Sequence, residues 1–219
     1  MKHLIALLAL STAIAGPARA QSTLYDKAGV IQMRDPKAVM SGTERPGKDL
    51  FKLTLEDVGT YTGHTCGCDT AGFLITQKVL AMLFPGQTPS RASVRVSISE
   101  YNMDLIDAIT FITGTRLNRG EYTGTDSDFT IDKGLTGEAG TTTLVFERKD
   151  NGKKVKAVIN RQVLLTKDEM RVASVVKGKI LKGVATEAEK KEFAKTTQDI
   201  VRKEILSLPD GAFVYTALN

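Results

Sequence analysis

The sequence has little of the chemistry that most often announces a function. It contains no tryptophan, two cysteines and two histidines. The cysteines are Cys66 and Cys68, so no disulfide framework is available, and the one bridge they could make would close a strained ring that staples almost no chain. A zinc finger would need a second Cys/His pair at a distance, and a c-type haem site would need Cys-x-x-Cys-His; neither pattern occurs. No apolar run reaches the ~20 residues that a membrane-spanning helix requires. Aromatic residues make up 6% and do not interleave with basic runs such as Lys153-Lys154 or Lys190-Lys191, so nothing points to nucleic acid. There is no internal repeat and no low-complexity tract.

The first twenty residues read as a secretory signal. Lys2 gives a positive start, Leu4 to Ile14 form an apolar run, and Ala18-Arg19-Ala20 is a small-x-small cleavage site. The expectation is cleavage after Ala20 and a periplasmic or secreted protein, with no membrane span after signal cleavage. Loss of Lys2 and Arg19 takes the formal charge from +5 to +3, a mild excess that a solvated surface accounts for. Residues 21–48 are rich in Gly, Pro, Ser and charge, which predicts an extended, loosely packed arm; residues 49–219 suit a single domain with its own core.

Within that domain the signals alternate between helix and strand, which predicts an α+β fold with a central sheet. Thr54 and Asp57 have capping-box spacing before a short helix that stops near Gly63. Asp69 or Thr70 can cap a second helix, with a mostly apolar stripe over Phe73, Leu80 and Phe84, ended by Pro85-Gly86. Residues 93–99 alternate as a strand, 102–114 repeat as a helix, and Phe129–Asp132 can be a short strand. Two β-rich runs flank Asp150-Asn151-Gly152, where Asn-Gly predicts a type I′ hairpin turn. Capping boxes at Thr166/Glu169 and Thr186/Glu189 open two C-terminal helices, and Phe213-Val-Tyr closes the chain as a strand. In the first of these helices Val172, Val175, Val176, Ile180 and Leu181 are expected to face the core.

What soft-ligand chemistry there is falls in five consecutive residues, His64-Thr-Cys-Gly-Cys68. Imidazole and thiolate donors suit zinc, copper or iron. Placed in an extended loop before a helix, alternate side chains share a face, so His64, Cys66 and Cys68 are expected to converge. The helix N-terminus behind them favours anions and lowers a thiol pKa. Asp69 reads as a cap sooner than as a ligand. Two other readings remain open: buried, inert thiols, and a dithiol that cycles with a strained disulfide.

Two stretches resemble a known family. LTLEDVGTYTGHTCGC (53–68) is similar to the opening motif of the FmdE-like family of formylmethanofuran dehydrogenase components, where a helix leads into Gly-His-x-Cys-Pro-Gly. DLIDAITFITGTRLNRGEY (104–122) resembles the family's Cys-x-x-Asp-Ala-Ile-Gln…Thr-Gly-Cys-Thr…Gly-Lys-Gly-Asn segment. The likeness covers about residues 50 to 160. It implies a mixed α/β fold and a metal-associated loop in which His64 and Cys66 match the family's His and Cys. Asp107, Ala108, Ile109 and Gly114 match its second motif. The family's Pro-Gly is Gly67-Cys68 here, its second Cys falls at Asp104, its third at Thr115, and its Gly-Lys-Gly-Asn at Asn118–Glu121. No cysteine follows Cys68, so the C-terminal zinc ribbon of many members is missing. Cys68 and the carboxylate of Asp104 can stand in for the lost ligands, and Asp107 is placed to orient His64 or to cap backbone.

The metal site expected from all this is His64, Cys66, Cys68 and Asp104, holding zinc or copper, in a protein that handles metal or supports a partner metalloprotein. The resemblance also allows a homodimer. The alternative is a thiol–disulfide redox protein or sensor using Cys66 and Cys68. No general base has support in the sequence, so an enzyme is the less favoured reading.

Overall fold

The structure, a computed structural model, describes residues 23–117, 128–135 and 137–218. The signal-like segment and Asn118–Glu121 therefore lie outside the described residues. Among those described, seven strands and a set of helices make an α+β fold in two sheets. Strands β1 (Ile31–Arg34) and β2 (Leu50–Leu53) pair antiparallel as a small ribbon. Strands β3 (Val94–Ile98), β4 (Phe129–Ile131), β5 (Thr141–Arg148), β6 (Lys154–Asn160) and β7 (Phe213–Leu218) form the main sheet in the order β4-β3-β5-β6-β7. Within it the β3/β4 pair is parallel and the other pairs are antiparallel.

Period-two alternation puts Val94, Val96, Ile98, Leu144, Phe146, Val155, Ala157 and Ile159 inside. Helix α1 (Pro36–Met40) lies in the N-terminal segment. Against the buried face pack α2 (Leu55–Thr62), α3 (Gly67–Leu83) and α4 (Met103–Thr113), with Phe73, Ile75, Leu105, Ile109 and Ile112 almost wholly buried between them. Helix α2 starts where its capping box stands: Thr54 Oγ1 accepts from the Asp57 N–H at 3.2 Å and Asp57 accepts from the Thr54 N–H at 2.8 Å. Its end is Gly63, which leaves three residues to reach α3.

The chain then continues through α5 (Arg161–Leu164), α6 (Lys167–Arg171), a π-helical turn (Val172–Val176), α7 (Lys177–Leu181) and α8 (Glu187–Leu206). Both threonine capping boxes form, at Thr166/Glu169 and Thr186/Glu189. Lys203 of α8 donates to both Glu169 oxygens at 2.6 Å and to the Leu164 carbonyl at 3.1 Å, which ties the last long helix to the start of α6.

Three details differ from the sequence expectation. Residues 23–48 are not a loose arm: Met33 is fully buried, Ile31 and Leu24 nearly so, and β1 is paired along its length. The hairpin forms, but its turn is not type I′. That turn needs positive φ at two central residues, and here only Gly152 (φ 71°) has it. The loop is longer, running from Lys149 to Lys153, and Arg148 holds it by donating to Asp150 and to the Leu83 carbonyl at the end of α3. In the π-interrupted helix, Val172 and Val176 are buried as expected, while Val175 and Leu181 are exposed.

Candidate metal centre

The N-termini of α3 and α4 converge on one spot. Cys66 is the N-cap of α3, Gly67 and Cys68 open its first turn, and Asp69 sits at the third helical position. The Cys66 N–H donates to Asp69 Oδ2 at 2.9 Å. The cysteines are therefore part of the helix start and not of an extended loop before it. Asn102 caps α4 through its Oδ1, which accepts from the Leu105 N–H at 3.2 Å, while its Nδ2 donates to the Cys68 sulfur at 3.5 Å. Asp104, in the first turn of α4, accepts from the Cys66 thiol at 3.5 Å. Two helix N-termini, each carrying a partial positive charge, thus face two sulfurs and two carboxylates.

His64 stands apart on the connection between α2 and α3, with half its side chain exposed. Its Nδ1 faces the Thr62 carbonyl at 3.4 Å, so the tautomer that donates there leaves Nε2 with a free lone pair. Nε2 lies 3.6 Å from Asp69 Oδ2 and 4.0 Å from Asp104 Oδ1.

The four predicted ligands do not fall into a single group. They divide into two triads that share Cys66: His64, Cys66 and Asp69, and Cys66, Cys68 and Asp104. Within each triad the donor atoms lie within 4.8 Å of one another. The extended-loop reading would have united His64 with Cys68. Helical geometry from Gly67 onward turns Cys68 towards Asn102 and separates the two. Asp69 is not the N-cap residue expected; from the third helical position its side chain accepts from the Cys66 N–H, and it also takes part in the outer triad. Asp107 makes no ion pair with His64; burial, with some repulsion from Asp104, raises its pKa.

One residue escaped the sequence reading altogether. Glu204 comes from α8, is 3% exposed, and lines the same cavity of about 150 Å³ as Cys66, Cys68, Asn102, Asp104 and Lys177. Its Oε2 has no hydrogen-bond partner, and neither has Oδ1 of Asp69, which is fully buried. Buried polar atoms are normally satisfied, so these two orphaned carboxylate oxygens leave room for a cation near the sulfurs. The only sequence signal for Glu204 was its position one turn beyond Ile200 on the apolar face of its helix, where a carboxylate is out of place.

The charges respond to this crowding. The neighbouring Cys66 side chain holds the Cys68 thiol down at about 7 against the opposing effect of burial, with Asn102 helping. The same pairing, and then burial, push Cys66 well up. Burial also raises Asp69 and, more strongly, Glu204, where Cys68 and Asp69 add repulsion and Lys203 only partly offsets it. Replacing Asn102 with alanine is therefore expected to cost about 1 kcal/mol through the lost cap. It should also move the Cys68 titration upward, read as thiolate absorbance against pH. An unchanged titration would show that Asn102 does not hold the sulfur.

The donors suit a metal ion. Bonds of about 2.0–2.3 Å around a tetrahedral ion place ligand atoms about 3.3–3.8 Å apart. The Cys66–Asp104 spacing of 3.5 Å already lies in that range. The other donors of each triad lie within 4.8 Å of one another.

Two comparisons bear on the chain. A family model described as "FmdE, Molybdenum formylmethanofuran dehydrogenase operon" matches residues 61–214, a span that runs from before His64 to beyond Glu204. No curated protein matches the sequence.

Proposed function

The chain belongs to the FmdE family, and from that premise we propose that it is an exported metal-binding protein that holds zinc or copper through His64, Cys66, Cys68 and Asp104. Its role is metal handling or the support of a partner metalloenzyme. The observation that carries this reading is the meeting of two sulfurs and Asp104 at two helix N-termini, with the unpartnered oxygens of Asp69 and Glu204 beside them. A bound ion would supply the positive charge that these groups lack. The residues themselves set its surroundings: Asn102 orients Cys68, the Cys66 N–H orients Asp69, and the apolar walls from Ala71, Leu105 and Ile200 limit water.

Export rests on the signal-like start alone. The described helices include none long and apolar enough to cross a membrane. Val175 and Leu181 on the C-terminal helical segment, and Val184 in the connection between α7 and α8, are exposed apolar side chains that a second copy or a client protein could cover.

The test is elemental analysis of protein purified without chelator, beside a Cys66→Ser/Cys68→Ser variant. Bound zinc or copper in the first and its loss from the second is the expected result. Negligible metal in both would remove the proposal. The second reading, thiol redox chemistry, draws on the lowered Cys68 thiol. It would be favoured by that same metal-free result together with reversible oxidation of the pair.

A further inference from the structure

The donors reach two adjoining cavities. His64 borders a broad groove of about 650 Å³ shared with Thr65 and Gln198, whereas Cys66, Cys68 and Glu204 line a smaller, mostly apolar cavity that shares Phe193 and Thr197 with it. Cys66 belongs to both donor sets. Each set also has its own unsatisfied buried oxygen: Asp69 Oδ1 in the outer triad and Glu204 Oε2 beside the inner one.

Resting on the metal-binding reading, we propose that the site holds two divalent ions, with the Cys66 thiolate as the bridge between them. The outer ion takes His64, Cys66 and Asp69. The inner ion takes Cys66, Cys68 and Asp104, and Glu204 lies beside it.

The geometry favours two ions over one. His64 and Cys68 fall in different donor sets, so one ion cannot engage both sets in full, while Cys66 stands in each. Among the described residues Lys177 lies 3.8 Å from Asp104, and the Lys203 ammonium is occupied by both oxygens of Glu169. A thiolate sulfur has lone pairs enough to bind two metal ions at once, and Cys66 is the donor placed to do so. An exposed outer position in contact with an inner one would also give a metal ion a way in.

The experiment counts zinc ions bound per chain by native mass spectrometry on chelator-treated, reloaded protein. Two are expected in the wild type. His64→Ala, at an exposed position that the fold does not need, should retain one, and so should Cys68→Ala; Cys66→Ala should retain neither. Thermal melts of each variant identify any that fail to fold, and the His64 variant keeps the test decisive if the cysteine variants do. One zinc in the wild type, or two retained in His64→Ala, would overturn the two-ion proposal while leaving the metal-binding reading intact. Protein that binds neither zinc nor copper(I) would overturn both.

Discussion

Gly72→Val is expected to destabilise the protein by about 1–3 kcal/mol, the usual cost of overpacking a filled core. Gly72 lies inside α3, where glycine is less favourable than alanine by about 0.8–1.0 kcal/mol, so something other than helix propensity keeps it there. A Cβ at this position would come 2.8 Å from the Ala108 Cβ and 3.5 Å from the Leu105 carbonyl of α4. Any side chain must push the two helices apart. That crossing sets the distance between Cys66 and Cys68 on one helix and Asn102 and Asp104 on the other, so the injury should reach the metal centre. A loss of about 10–100-fold in metal affinity is expected, the range seen when the surroundings of a metal site are disturbed. Urea denaturation and a chelator-competition titration measure the two effects. Adding Ala108→Gly, which removes the methyl group that the new side chain meets, should recover part of both. Equal stability of Gly72→Val and wild type would show that the helices do not cross as closely as described.

Glu204→Gln is expected to stabilise the metal-free protein at neutral pH and to do so increasingly as pH rises. Burial, with the added repulsion of Cys68 and Asp69, raises the Glu204 pKa above its unfolded value, and Lys203 opposes this only in part. The folded state therefore keeps a proton that the unfolded chain has given up. Stability is full below about pH 4.5 and declines above it, at up to about 1.4 kcal/mol per pH unit, until the folded carboxyl itself ionises. Glutamine has the shape without the charge and removes that slope. Asp69 shifts in the same direction but is common to both proteins, so the difference in stability between them isolates Glu204. With metal added the order should reverse, because the carboxylate then meets a cation. Paired thermal melts from pH 4 to 8, with chelator and with zinc, would show this. A constant difference across that range would mean that Glu204 is not held in its neutral form.

Local chemistry made much of the fold legible. The threonines at 54, 166 and 186 each found the acidic residue three positions on, and the alternation of 93–99 and the two hairpin arms placed strands where they occur. What sequence could not give was long-range. Nothing in residues 129–131 announces a parallel partner for β3, and the sparse apolar residues of 23–48 conceal how deeply Met33 is buried. The site was half legible for the same reason. His64, Cys66, Cys68 and Asp104 could be picked out from residue type, but their arrangement depended on where α3 begins. Cysteine is not a favoured N-cap and glycine is a weak first helical residue, so propensity placed the start later than Gly67. Glu204 lies more than 130 residues downstream of Cys66, and only packing brings it there.

The central claim is that sulfur from Cys66 and Cys68 binds a metal ion. X-ray absorption at the edge of whichever metal the purified protein carries tests it most directly. The account predicts sulfur neighbours at about 2.3 Å together with nitrogen or oxygen at about 2.0–2.2 Å. A shell of nitrogen and oxygen alone, with no sulfur, would contradict it.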